Sequence, residues 1–210
     1  VLTELVDTGQ FFVGGMPHQY IVMERAEGMI IAEEVARLAS TNERLPELEM
    51  LVIVDKLMDL LQEAHNQDIV YNDVDAKHLF WNRDTYNLKV IDWGNAVFLA
   101  GDDVTPQGIS RQTDVYQVGE LLFFIVSGGR RVEVPRDADE NFMLNFYGDD
   151  ERVSDRLKQI ISKAVHPNLR LRYDSMKALN NDLARYRAPI ERDRNTIVGR
   201  VTERLRTSNL

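Results

Sequence analysis

Tyr71-Asn72-Asp73-Val74-Asp75-Ala76-Lys77-His78-Leu79-Phe80-Trp81, the polar run Asn82-Arg83-Asp84-Thr85-Tyr86-Asn87, and Leu88-Lys89-Val90-Ile91-Asp92-Trp93-Gly94 together decide the fold. Two apolar runs, Leu79 to Trp81 and Leu88 to Ile91, flank a connection with the Asn- and Asp-rich composition of a hairpin turn. Asp73 stands just before the first strand and Asp92 just after the second. Antiparallel pairing therefore brings both carboxylates to the same end of the ribbon. Such an end suits a divalent cation or a polarised hydroxyl.

Outward from the hairpin, helical periodicity dominates. Ile30 to Leu38 reads as a short amphipathic helix and Leu45 to Asn66 as a long one, with Leu48, Leu51, Val52, Leu57, Leu60, Leu61 and Ala64 on its apolar face. Met50 and Met58 read as core, and His65, at the helix end, as a structural or dipole-related residue. Asp114 to Gly128 carries a continuous apolar run and reads as a central buried helix that Gly128-Gly129 stops and Asp114 caps. Arg130 to Asp150 is polar and irregular, and amphipathic helices are expected over Val153 to Val165 and Ser175 to Tyr186. At the other end, Val1 to Val6 and Tyr20 to Met23 read as extended segments around a Gly14-Gly15-Met16-Pro17 turn.

Composition bounds the function. With 210 residues, 44% apolar and 28% charged, the chain has enough length for a sizeable core. A net charge of -9 argues against general nucleic-acid affinity. There is no cysteine, which excludes a disulfide framework, a thiolate zinc site and a cysteine nucleophile, and points to the reducing cytoplasm. No apolar run approaches the roughly 20 residues of a membrane span, and no signal peptide opens the chain. The chain begins on Val1 in what reads as mid-domain sequence, so a fragment with possible further domains outside it is expected.

The central stretch resembles the protein-kinase catalytic loop and metal motif, H-R-D-L-x-x-x-N followed by D-F-G. Asp73 falls on the aspartate that accepts the substrate hydroxyl proton, and Asp92-Trp93-Gly94 falls on D-F-G, whose aspartate holds magnesium across the phosphates. Asp114-Val115-Tyr116-Gln117-Val118-Gly119 is similar to the family's D-V-W-S-x-G helix. His166-Pro167-Asn168-Leu169-Arg170-Leu171-Arg172-Tyr173-Asp174-Ser175 is similar to its D-P-x-x-R-Y-x-S. The resemblance covers about residues 18 to 186. Small-molecule phosphotransferases of the aminoglycoside-kinase kind share the I-D-W-G motif, but the Asp114 helix and the Arg172 motif favour the protein-kinase branch.

The resemblance implies an α+β fold with a mainly helical C-terminal lobe, small hairpins and a truncated N-terminal lobe. Residues 1–28 would be the remnant of the small lobe and hinge, 29–186 the C-terminal lobe and 187–210 a basic tail or linker. It implies ATP and Mg as cofactors, with Met23, Glu24 and Ala26 of the hinge, together with Phe80 and Ile91, on the nucleotide. Asp92 and His78 would hold metal, and Asp73 and Lys77 would be catalytic. A protein substrate or protein partner follows.

Departures from the pattern touch chemistry. Tyr71-Asn72 replace His-Arg, Asp75 replaces the catalytic-loop Lys, and His78 replaces the metal-binding Asn. Two unit charges at about 4 Å with an effective dielectric near 20 interact by roughly 4 kcal/mol, so Asp75 opposes the developing phosphoryl charge unless Lys77 stands in. An imidazole biases the metal site toward manganese. Thr105-Pro106-Gln107 is similar to A-P-E with an amide for the carboxylate, so its ion pair with Arg172 is expected to be reduced or absent. Asn72 cannot grip a phosphate, so the Asn95 to Thr113 segment, with Thr105, Ser110 and Thr113 as its hydroxyls, is expected not to depend on phosphorylation. Impaired phosphotransfer to protein Ser/Thr is the first reading, and a pseudokinase acting as a binding scaffold the second. From Arg185 to Arg206 seven arginines face three acids, and the basic stretch reads as a solvated helix, a linker or a docking element.

Overall fold

A helical repeat of apolar side chains builds most of the chain, and short antiparallel strands carry the rest. The computed structural model describes residues 2–135, 137–148 and 151–207, with side chains as far as 190 together with Arg192. The elements in order are β1 (Leu5–Val13), β2 (Met16–Met23), β3 (Met29–Ile30), α1 (Ile31–Ser40), α2 (Glu47–Asn66), β4 (Ile69–Val70), a 3-10 turn (Ala76–His78), β5 (Leu79–Asn82), β6 (Asn87–Val90), β7 (Val97–Phe98), α3 (Arg111–Val126), α4 (Asp155–Ala164) and α5 (Met176–Thr207). The fold is α+β. Its sheets among the described residues are β1-β2, β3-β5-β6 and β4-β7, all antiparallel.

The core forms around α2, which packs against α3, α5 and the short strands. Met50, Ile53, Val54, Leu57, Met58 and Leu61 are buried, whereas Leu48, Val52 and Leu60 are only partly so. The buried side is therefore rotated toward Ile53 and Val54 relative to the expected face, because a helix packed on several sides has no single polar stripe to mark its outside. In α1, Ile31, Val35 and Leu38 are buried at helical spacing, with Glu33 and Glu34 in the first turn and Arg37 in the last, the arrangement that suits the helix dipole.

α3 enters the core so closely that only glycine fits at one point. A Cβ on Gly119 would lie 2.7 Å from both the Ala164 Cβ and the Val165 Cγ1, where α4 crosses. Gly119→Ala should therefore cost about 1–3 kcal/mol of stability, read as a lowered denaturant midpoint with an unchanged m-value. The helix stops where expected. The Gly128 and Gly129 amides bond back to the Ile125 and Phe124 carbonyls at 3.4 and 2.7 Å, and both glycines have positive φ, forming a Schellman closure.

Three expectations are corrected. The first strand spans Leu5–Val13, not Val1 to Val6, of which Val1 lies outside the described residues. Pairing propagates from the two-residue Gly14-Gly15 turn, both glycines having positive φ, so Val13 faces Met16, and Met16 and Pro17 belong to β2. The start of α3 lies earlier than Asp114: Thr113 Oγ1 accepts from the Ser110 amide at 3.0 Å, half of a capping box, and Asp114 sits one turn inside. α5 does not end at Tyr186 but continues through Pro189 to Thr207. Arg185 and Arg187 bond Asp182 and Asp55, while Arg194, Arg200, Arg204 and Arg206 have side chains outside the described residues.

The β1-β2 ribbon is uncovered on both faces. Val6 and Ile21 are each 65% exposed, and the neighbours Phe11 and Phe12, which point to opposite faces, are 48% and 68% exposed. Its base is tied to the body by a Leu2-Val90 bridge and by Lys89 Nζ, which donates to the Leu2 carbonyl at 3.1 Å and to Glu24 at 2.7 Å. Among the described residues no helix is long and apolar enough to cross a membrane.

Candidate active site

The β5-β6 hairpin pairs Leu79 with Val90 and Asn82 with Asn87, and its register closes the gap between Asp73 and Asp92. Leu79, Trp81, Leu88 and Val90 point into the core, which fixes the ribbon's orientation. At its open end one ligand atom each from Asp73, His78 and Asp92 lie within 4.8 Å of one another. The buried His78 ring stands between the acids: Nδ1 is 3.2 Å from the Asp73 carbonyl and 3.7 Å from its carboxylate, and Nε2 is 3.5 Å from Asp92. Asp92 is about half exposed and Asp73 a quarter, so both keep a face toward solvent. Two carboxylates and an imidazole in reach of one point are a donor set for a divalent cation, and the nitrogen favours manganese over magnesium.

The loop that presents Asp73 is held from below by α3. Asp114, fully buried, accepts from the Tyr71 and Asn72 amides at 3.0 and 2.7 Å, and its Oδ2 lies 2.7 Å from His65 Nε2. Asp114 thus ties the loop down rather than capping the helix, and His65 is structural. Gln117, one turn on, donates to the Asn72 carbonyl and accepts from the Val74 amide, each at 3.1 Å. The Asn72 backbone takes φ +60, which asparagine tolerates better than most residues, and its amide group donates to the Asn95 carbonyl at 3.3 Å.

Tyr71 does the work of a strut. Its hydroxyl donates to the Ile91 carbonyl at 2.7 Å and its ring packs on Trp93 at 4.5 Å, so one buried side chain joins the Asp73 loop to the Asp92 turn. Burial, with Asp73 and Asp92 nearby, pushes its hydroxyl well above the usual tyrosine range, and it stays a neutral donor. Asp92 itself has φ +61, and Gly94 donates to its Oδ1 at 3.4 Å. Asn95 donates to Asp73 Oδ2 at 3.0 Å, orienting that carboxylate.

Asp75 and Lys77 answer each other. Burial works against the Asp75 carboxylate, but the Lys77 amide at 2.9 Å and its ammonium at 3.2 Å hold its pKa below the ordinary value. Lys77 is thus engaged with Asp75, and both side chains keep contact with solvent. The residues expected on the nucleotide are brought together in part. Phe80 and Ile91 share the outer face of the hairpin with Lys89, which reaches Glu24; Met23 is exposed at the end of β2, and Ala26 is half-buried in the link to β3.

The segment after Asp92 is anchored by strand pairing and by Arg111. Val97–Phe98 pairs with Ile69–Val70, and Arg111 bonds both the His65 carbonyl and Asp68. The three hydroxyls have local roles: Thr105 Oγ1 accepts from the Ile109 amide at 3.1 Å, and Ser110 and Thr113 form the capping box at the start of α3. Removing all three should therefore weaken folding rather than be silent, by about 1 kcal/mol for the cap alone. Arg172 bonds carbonyls in place of an A-P-E carboxylate, namely His166 and Gln112 at 2.8 and 3.1 Å, and lies over the Tyr116 ring at 4.8 Å.

Glu120, on α3, is pushed above its ordinary value of 4.5 by burial, against the pull of Tyr116, Arg172 and Arg131. The folded protein then binds more protons than the unfolded chain above that value, so the stability from the neutral acid is present at low pH and lost as pH rises through the folded value. Glu120→Gln keeps the Tyr116 bond and removes the titration. Its melting temperature should rise relative to the parent as pH is raised above the ordinary value of 4.5, and an unchanged difference would contradict the burial argument.

No family model matches the chain. Among curated proteins it is 21% identical, over 90% of its length, to serine/threonine-protein kinase PksC of Streptomyces coelicolor. It is 23% identical over 77% of its length to serine/threonine-protein kinase DCLK3 of mouse, and 22% identical over 85% to the probable serine/threonine-protein kinase PknB of Lactococcus lactis. It spans 39%, 23% and 31% of those proteins' lengths respectively. Among solved structures, the kinase PK-1 of Cydia pomonella granulovirus superposes with a TM-score of 0.61 at 17% identity, covering 85% of this chain and 73% of that one. These likenesses, together with the ordered motifs, make the fold protein-kinase-like.

Proposed function

We propose that this protein-kinase-like lobe supplies the acceptor and metal half of a site that transfers phosphoryl from ATP to Ser or Thr hydroxyls of proteins, at a reduced rate. The observation that carries the reading is the convergence of Asp73, His78 and Asp92 within 4.8 Å at the end of one hairpin. Asp73, oriented by Asn95, takes the hydroxyl proton. Asp92 and His78 hold the divalent cation, magnesium or more readily manganese, which supplies charge neutralisation on the phosphates. Met23, Glu24 and Ala26 offer backbone to the adenine, with Phe80 and Ile91 beneath it.

The reduced rate follows from Lys77, whose charge is spent on Asp75. That same pair favours a second reading, a pseudokinase that binds a protein partner in the cytoplasm without transfer. The faces of β1 and β2 are exposed, and this chain should bind ATP weakly. Millimolar ATP with magnesium is expected to give little thermal shift, and tight stoichiometric calorimetric binding would contradict it. The function is tested by following labelled phosphoryl from ATP to Ser/Thr peptides with either metal. Slow transfer, faster with manganese and lost in Asp73→Asn, is expected. No transfer with either metal rejects the enzyme reading in favour of the scaffold.

A further inference from the structure

The cavity beside the Asp73 loop is charged oppositely to the rest of the molecule. It has a volume of about 790 Å³, and its wall begins at Val74, the residue after Asp73. Lys77, Arg130 and Arg131 supply three cations against Asp75 and Glu120, for a formal charge of +1, in a chain whose net charge is -9. Asp75 is matched by Lys77, and Glu120 is met by Arg131 together with Tyr116 and Arg172. Burial also disfavours the charged form of that glutamate. Both arginines are exposed on the loop after Gly129, and Arg130 lies 5.5 Å from the centre of the Tyr147 ring, which steadies it there. Leu121 and Phe124 give the floor an apolar strip that a peptide's carbon skeleton can cover.

We propose that this cavity binds an extended peptide segment through an acidic side chain, placing the neighbouring residue at Asp73. A carboxylate meets two guanidinium groups that can bond it in the bidentate manner, and the wall behind them is partly apolar, so the contact is less screened than on an open surface. A polyphosphate chain suits the place less well, because Asp75 and Glu120 stand in the same wall and repel a continuous run of charge. The proposal deepens the acceptor reading and rests on it only for what stands at Asp73; the binding itself needs no chemistry.

The test is fluorescence anisotropy on the full chain with three labelled Ser-containing peptides that differ only in having Asp, Ala or Lys around the serine. The Asp peptide should bind about tenfold more tightly than the Ala peptide at low salt, with the advantage shrinking as salt is added. Arg130→Ala with Arg131→Ala should erase the preference, and because both side chains are exposed the fold should persist by circular dichroism. Asp73→Asn should keep the preference even if transfer proves absent, which separates this inference from the acceptor reading. Equal binding of the three peptides, a preference that survives the double variant, or tighter binding of a labelled single-stranded oligonucleotide overturns it.

Discussion

Asp114→Ala should unfold the protein roughly 10 °C lower than the parent with no ligand present. The carboxylate is fully buried and meets the Tyr71 and Asn72 amides and the His65 ring. Alanine leaves those donors without partners in a space too tight for easy rehydration. Losing one partner of a buried, charge-assisted cluster costs about 3–5 kcal/mol, and each kcal/mol in a chain of this size is about 2–4 °C. Asp114→Asn keeps one acceptor oxygen and should recover part of the loss. The measurement is a thermal melt by circular dichroism of all three proteins. A melting temperature within about 2 °C of the parent for the alanine variant would mean that the loop is held by something else.

Asp73→Asn should lower phosphoryl transfer by about 10²–10⁴-fold, the range for removing a positioned general base, while leaving the melting temperature nearly unchanged. The amide can still accept from Asn95 but no longer takes a proton. Its side chain is a quarter exposed, so little packing is lost. A matched Asp92→Asn should act through the metal, lowering transfer most at low metal concentration and recovering partly as manganese is raised. The two variants therefore differ in metal dependence. Identical metal titrations for both would show that Asp73 is a ligand rather than a base, and single-turnover assays decide it.

The two carboxylates at one end of a ribbon were legible because a hairpin's register is set locally by its turn and its alternating core side chains, so Asp73 and Asp92 follow from residues within one short stretch. Helices were legible for the same reason, down to the glycine closure of α3. What the sequence hid was everything that depends on distant placement. Gln117 reads as an ordinary helix residue until α3 is laid under the loop, and nothing in Tyr71 announces that its hydroxyl will meet Ile91 twenty residues on. Asp114 was misread as a cap because aspartate is a good one; the Ser110-Thr113 pair, a turn earlier, takes that place and frees the aspartate for the loop. The Lys77-Asp75 pairing follows from a 3-10 turn too short to leave a periodic signal.

Whether Asp92 and His78, beside Asp73, form a cation site is read most directly by manganese binding, followed through the loss of the free-ion paramagnetic resonance signal as protein is added. The parent should bind manganese more tightly than magnesium competes for it. Asp92→Asn and His78→Ala should each weaken binding by about tenfold or more, as expected when one donor of a small set is lost. Binding of equal strength in the parent and in both variants would contradict the account, because the cation would then lie elsewhere on this acidic chain.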